Sequence, residues 1–167
     1  RLEIPTGDYL RAADAAERSW SLGSSWSIAL ACAGHPDAHR ASEIEWERYV
    51  NTPFGHPGMA TIKPDRVLLR AAVDELVASG FRDPEGLFYQ VIRLAHAGDL
   101  DRALEILAEV VARGFYPYET FMRHAWLDPL RGRQDFEAIL QRAQHNHEKA
   151  HAAFVNAGGK TLLGVEG

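Results

Sequence analysis

The stretch AHAGDLDRALEILAEVVARGF, residues 95–115, constrains the fold more than any other part of the chain. A run of good helix formers breaks at Gly98-Asp99 and resumes at once with Ala103, Leu104, Leu107 and Val111. Before the break, Pro84 to Ala97 carries Leu87, Val91, Leu94 and Ala95 at helical spacing, with Asp83 as N-cap and Pro84 at the first helical position. After it, Asp99 is placed to cap a second helix. The apolar face of that helix is Ala103, Leu104, Leu107, Val110 and Val111, with Asp101, Arg102, Glu105 and Glu109 outward. Gly114 closes it and Pro117 blocks continuation. Two helices joined by so short a turn pack antiparallel, and the small Ala103 lets them approach closely. The break therefore makes a helical hairpin.

The positions in this hairpin also carry a likeness. Pro84 to Tyr116 resembles one tetratricopeptide repeat, with Leu87, Leu94, Gly98, Ala103, Leu107 and Val110 at or near the repeat's signature places. Gln90 and Val91 depart from it, standing where a Leu and a small residue are usual, and Phe115-Tyr116-Pro117 replaces the common acidic-Pro ending. Phe121 to Leu140 contains HAWLDPLR (124–131), then Asp135-Phe136 and Ile139-Leu140. It is similar to the segment that closes many bacterial tetratricopeptide-containing proteins, among them regulators, kinases and cyclases. The two likenesses cover most of the second half of the chain; the first half matches loosely. They imply an all-α fold, a right-handed array of antiparallel helix pairs capped by a long C-terminal helix. Residues 1–167 then form a single domain, with the clearest repeat at 84–116, a capping segment at 117–157 and a short tail at 158–167.

The flanks read as helices too. Gly7 to Leu22 is a helix capped by Asp8, carrying Leu10, Ala13, Ala16, Glu17 and Trp20. Gly23 to Val50 resembles another pair: Trp26, Ile28, Leu30 and Ala31, a turn at Gly34-His35-Pro36-Asp37, then Ala41, Ile44, Trp46 and Val50. Pro64 to Ser79 is amphipathic through Val67, Leu68, Ala71, Ala72, Leu76 and Val77, ended by Gly80. The last helix runs from about Gln134 to Ala157, with Phe136, Ile139, Leu140, Ala143, Ala150 and Phe154 on its apolar side and Gly158-Gly159 as its stop. Asn51 to Lys63, with Pro53, Gly55, Pro57 and Gly58, is a long irregular loop that Phe54, His56 and Met59 can pack. The tail Thr161-Leu162-Leu163-Gly164-Val165 alone has a β-compatible composition.

Chemistry is sparse. A net charge of -5 and the lack of a basic run argue against nucleic-acid binding. No apolar stretch is long enough for a membrane span and no signal peptide is visible, which points to the cytoplasm. Cys32, the single cysteine, lies in an apolar run and reads as a buried, inert thiol. Gly159-Lys160-Thr161 ends like a phosphate-binding loop, but Phe154 stands where that motif needs glycine, and the order is helix then tail. His147 and His151 share a helix face at metal-ligand spacing without a third ligand, and His35, His39 and Glu43 repeat the spacing with His35 set outside the helix by Pro36. Glu43, Glu45 and Glu47 diverge around their helix and do not form an acid–base pair. No cofactor or catalytic residue is indicated.

On the repeat alignment, Glu85, Phe88, Ile92, Ala95 and His96 fall near the groove-facing side of the first helix. Glu85, Phe88, Ile92 and His96 are the candidate groove residues for a mainly apolar peptide. The Lys, Arg and Asn set by which related folds grip a terminal carboxylate is not assembled here. The expectation is a non-catalytic protein- or peptide-binding module, the tail of a larger bacterial regulatory protein; the chain begins at Arg1, not Met. Two alternatives stay open. One is a helical enzyme or a small-ligand or metal-binding domain using the 51–63 loop and nearby histidines. The other is a self-associating module, a homo-oligomer held by exposed aromatics.

Overall fold

The computed structural model describes residues 10–11, 25–49 and 65–164, and all regular structure among them is helical. The elements are α1 (Ser25–Cys32), α2 (Ala38–Tyr49), α3 (Arg66–Ala78), α4 (Pro84–His96) and α5 (Leu100–Ala112). They continue as α6 (Tyr118–Arg123), a 3-10 helix (Ala125–Leu130), α7 (Gln134–Asn156) and α8 (Gly159–Leu163). The all-α expectation is met. The expected helix Gly7–Leu22, apart from the helical Leu10 and Arg11, and the expected loop Asn51–Lys63 lie outside the described residues.

The α4–α5 hairpin forms where the sequence places it. The Asp83 carboxylate accepts the Gly86 N–H at 2.6 Å and Pro84 opens α4. At the other end Gly98 sits at φ +82°, the left-handed region where a Cβ is costly. There the Asp99 N–H donates to the Leu94 carbonyl at 2.9 Å and the Gly98 N–H to that of Ala95 at 3.1 Å, a Schellman closure. Gly114, at φ +95°, ends α5 in the same way, with Phe115 donating to Val110. The expected face of α5 is buried in full, and Ile106 is buried with it.

Helix α4 is the centre of the molecule. Leu87, Val91 and Leu94 are buried as expected, but so are Phe88, Gln90, Ile92 and Arg93. Helices α3 and α5 and the 3-10 helix all pack on it. Apart from the stripe of Glu85, Tyr89 and His96, the helix is enclosed, which makes it an internal helix with one open edge. Its two large polar side chains are joined to each other: Gln90 Nε2 donates to the Gly86 carbonyl at 3.1 Å, and Arg93 Nη1 donates to Gln90 Oε1 at 2.9 Å. Gln90 thus links the backbone of α4 to the buried Arg93.

The structure revises four readings of the periphery and turn. In α3 the buried residues are Leu69, Val73 and Leu76, while Val67 and Leu68, expected on the apolar face, are exposed. Asp99 stands at the N-cap of α5 without a side-chain cap bond, its carboxylate turned to Arg70 instead. In α7 only the first half packs on α5 and α6, through Phe136, Leu140 and Ala143; Ala150 and Phe154 are exposed. A helix of 23 residues is about 35 Å long and outruns the body it caps. The tail residues Thr161, Leu162 and Leu163, expected to have strand character, belong to α8. Helix α8 folds back on α7 with Gly159 against the Phe154 ring, where a Cβ has no room.

Helices α1 and α2 form a hairpin across the expected turn at 34–37, packed around Ala29, Leu30 and Ala41. Ile28 joins the main core, and Cys32 packs at its edge.

Candidate interaction surfaces

The expected groove stripe on α4 splits in two. Glu85 and His96 are exposed, whereas Phe88 retains 5% and Ile92 1% of its accessible surface. The cover over Phe88 is the chain's own capping segment. Its ring lies 5.1 Å from that of Phe121, 5.8 Å from Phe115 and, edge-on, 6.4 Å from His124. His96 stacks on Trp126 with ring centroids 4.1 Å apart and planes 12° from parallel. Phe88 and Ile92 are therefore core residues in this conformation, not a surface offered to a peptide. The physical reason is non-local: residues 118–130 supply the apolar cover that a bound peptide would otherwise provide.

The cap is held by local polar bonds. His124 Nδ1 accepts the Trp126 N–H at 3.2 Å, and the Asp128 carboxylate accepts from Arg131 Nε at 2.8 Å. Burial pushes the His124 pKa down to about 4, outweighing the nearby Asp128 carboxylate, which acts the other way; Arg131 adds to the depression. Partial burial lowers the pKa of His96 as well. Both rings are thus neutral at pH 7, and the His96–Trp126 stack is one of neutral rings.

A second surface lies between α3 and the start of α5. It is an open cleft of about 480 Å³, lined from α3 by Arg66, Val67, Arg70, Ala71 and Asp74 and from the other side by Asp99 and Asp101. Asp99 explains its missing cap bond here. Both of its oxygens lie 3.2 Å from Arg70 Nη1, so the carboxylate that was placed to cap α5 instead ties α3 to the hairpin turn. Asp74 accepts from Arg102 at 2.7 Å, and Asp101 from Arg133 at 2.8 Å. Hydrogen bonds to Asp135, and then to Asp101, raise the Arg133 pKa above its ordinary value. Each of the three carboxylates at the cleft is thus paired with an arginine, Asp99 with Arg70, Asp74 with Arg102 and Asp101 with Arg133. Beside it, Val67 is 72% and Leu68 62% exposed.

A third surface is the C-terminal hook. Leu162 and Leu163 on α8 are 85% and 64% exposed, next to the exposed Lys160. The sequence pointed to neither pair of apolar residues as a site. The signal for α3 was present in its excess of apolar positions: Val67, Leu68, Leu69, Val73, Leu76 and Val77 are more than one buried stripe accommodates.

His147 and His151 are exposed on the projecting part of α7, and no group of three or more His, Cys, Asp or Glu is placed to hold a metal among the described residues. His39 Nδ1 lies 3.5 Å from Glu43, and His35 Nδ1 accepts the Asp37 N–H at 3.2 Å from its place in the turn. Burial pushes the Cys32 thiol up to about 12, which keeps it protonated and unreactive at neutral pH. Among the described residues no helix is long and apolar enough to cross a membrane. No protein-family model, no curated protein and no solved structure matches this chain.

Proposed function

We propose that the chain is a non-catalytic protein- or peptide-binding module of tetratricopeptide-like helical pairs, the tail of a larger bacterial regulatory protein. The likeness of 84–116 and 121–140 to that family supports the reading, as does the glycine-closed hairpin α4–α5 with its 3-10 and α7 cap. The site, however, moves from α4 to α3. The observation that carries this is the exposure of Val67 and Leu68 on a helix whose other face is locked into the core by Leu69, Val73 and Leu76. Large apolar side chains next to each other and beside a charged cleft form a small anchor point of the kind that protein partners use, with apolar contact at the centre and polar groups at the rim.

Panning a random-peptide library on the immobilised chain tests this. Captured peptides are expected to carry apolar anchors, and Val67→Ser with Leu68→Ser should release them while leaving the helical circular dichroism unchanged. Peptides held equally well by that double variant would refute the α3 site. A panel that yields no binder at all would refute the module reading.

A further inference from the structure

We propose that His147 and His151 on α7 chelate a divalent transition ion of the zinc and copper class, with the Glu148 carboxylate beside them favouring the cation. The site goes beyond the interaction-module reading and does not depend on it.

Residues 147–151 read HEKAH. A His-Glu-x-x-His stretch on a helix sets two imidazoles at i and i+4 on one face, the spacing at which helical zinc sites present their ligands. The helix needed for this is present: α7 runs from Gln134 to Asn156 with neither proline nor glycine inside it. Side chains four apart on such a helix have β-carbons about 5–6 Å from each other. Both histidines are exposed, so their rings are free to turn toward a shared ion and place one nitrogen each at about 2.0–2.1 Å from it.

Packing fixes which face the pair occupies. Phe136, Leu140 and Ala143 are buried where α7 meets α5 and α6. His147, His151 and Phe154 then follow, each three or four positions after the last, and Phe154 meets Gly159 of α8. The histidines therefore continue the core stripe of α7 past the end of the body, in the place where the pattern calls for apolar side chains.

The surrounding charge suits a cation. Glu148 stands three positions before His151 and accepts from Gln144 Nε2 at 2.9 Å, which holds a carboxylate next to the pair. Lys149 is two positions from each histidine and so lies away from their face, as His145 lies away from His147. Imidazole nitrogens suit zinc, copper and nickel, whereas magnesium and calcium take oxygen ligands. With two ligands from the chain, water fills the other positions. Affinity then comes from two rings acting on one ion rather than from a closed cage.

Isothermal titration calorimetry of the full chain, carrying no histidine tag, tests this with zinc up to about 1 mM, a range that reveals a weak site. Zinc should bind and magnesium should not. His147→Ala and His151→Ala should each weaken zinc binding roughly tenfold or more, because the second ring acts on an ion that the first already holds. His145→Ala should leave it unchanged. Lys149→His with His151→Ala keeps the number of histidines but moves one off the shared face, and it should bind as poorly as His151→Ala alone. Zinc should also slow amide exchange around residues 147–151 in the unaltered chain, since an ion across one turn braces it. Absence of zinc binding would overturn the proposal. So would affinity that survives either histidine-to-alanine change, or a displaced-histidine variant that binds as well as the unaltered chain.

Discussion

Helices α4 and α3 are neighbours with similar apolar content and opposite fates. In α4 even Gln90 and Arg93 are enclosed, because α3, α5 and the 3-10 helix surround it. In α3 one stripe, Leu69, Val73 and Leu76, meets that core, and the next apolar residues, Val67 and Leu68, are left in solvent. The difference teaches that apolar residues on a helix do not mark a binding surface by themselves. What matters is whether the rest of the chain has already covered them. The capping segment 118–130 covers α4, and among the described residues nothing covers the Val67–Leu68 edge of α3 to the same degree.

The contrast should break first at the cap. Phe121 is fully buried against Phe88, so Phe121→Ala should cost about 3–5 kcal/mol of stability, read from urea unfolding. A loss below about 1 kcal/mol would mean that the cap does not close on α4.

Acid should act on the same junction. With His124 depressed from 6.5 to about 4, the unfolded chain binds the proton more readily than the folded one between those values. The stabilisation is therefore present in full above pH 6.5 and is lost as the pH falls toward 4, by about 3 kcal/mol. His124→Asn, which keeps an acceptor for the Trp126 N–H but does not titrate, should flatten that part of the stability profile relative to the unaltered chain. An unchanged slope would show that His124 is not enclosed.

A smaller effect belongs to the link between the two helices. A double-mutant cycle on Arg70→Ala and Asp99→Ala should give a coupling of roughly 1 kcal/mol, modest because the arginine is half in water. Zero coupling would leave the missing cap bond of Asp99 without a cause. The smallest effect is expected at the exposed edge: Val67→Ser with Leu68→Ser should change stability by no more than about 0.5 kcal/mol. A large loss there would place those side chains in the core and remove the site.

The hairpin was legible in the sequence because its determinants are local. Asp83, Pro84, Gly98 and Gly114 act within a few residues of where they stand, and the α5 face repeats at a clean helical period. The start of α7 and its buried Phe136, Leu140 and Ala143 were legible for the same reason. The rest depended on contacts distant in sequence. Helix α3 carries two overlapping apolar stripes, and only packing on α4 chooses Leu69, Val73 and Leu76 over Val67 and Leu68. Asp99 satisfied every local rule for a cap, yet Arg70, 29 residues away, takes its carboxylate. The groove stripe failed likewise: periodicity places Phe88 and Ile92 on one side of α4, but both are buried, and the ring over Phe88 comes from a segment some thirty residues later. The tail 161–163 was too short and too glycine-flanked for composition to separate strand from helix.

Amide hydrogen exchange tests the contrast most directly. If the cap keeps α4 closed, the α4 amides of Phe88, Val91 and Ile92 exchange only through global unfolding, while those of α8 and the exposed half of α7 exchange through cheaper local openings. Exchange of the α4 amides as fast as those of α8 would contradict the account, because it would mean that the cap lifts and that the groove on α4 is open to a partner after all.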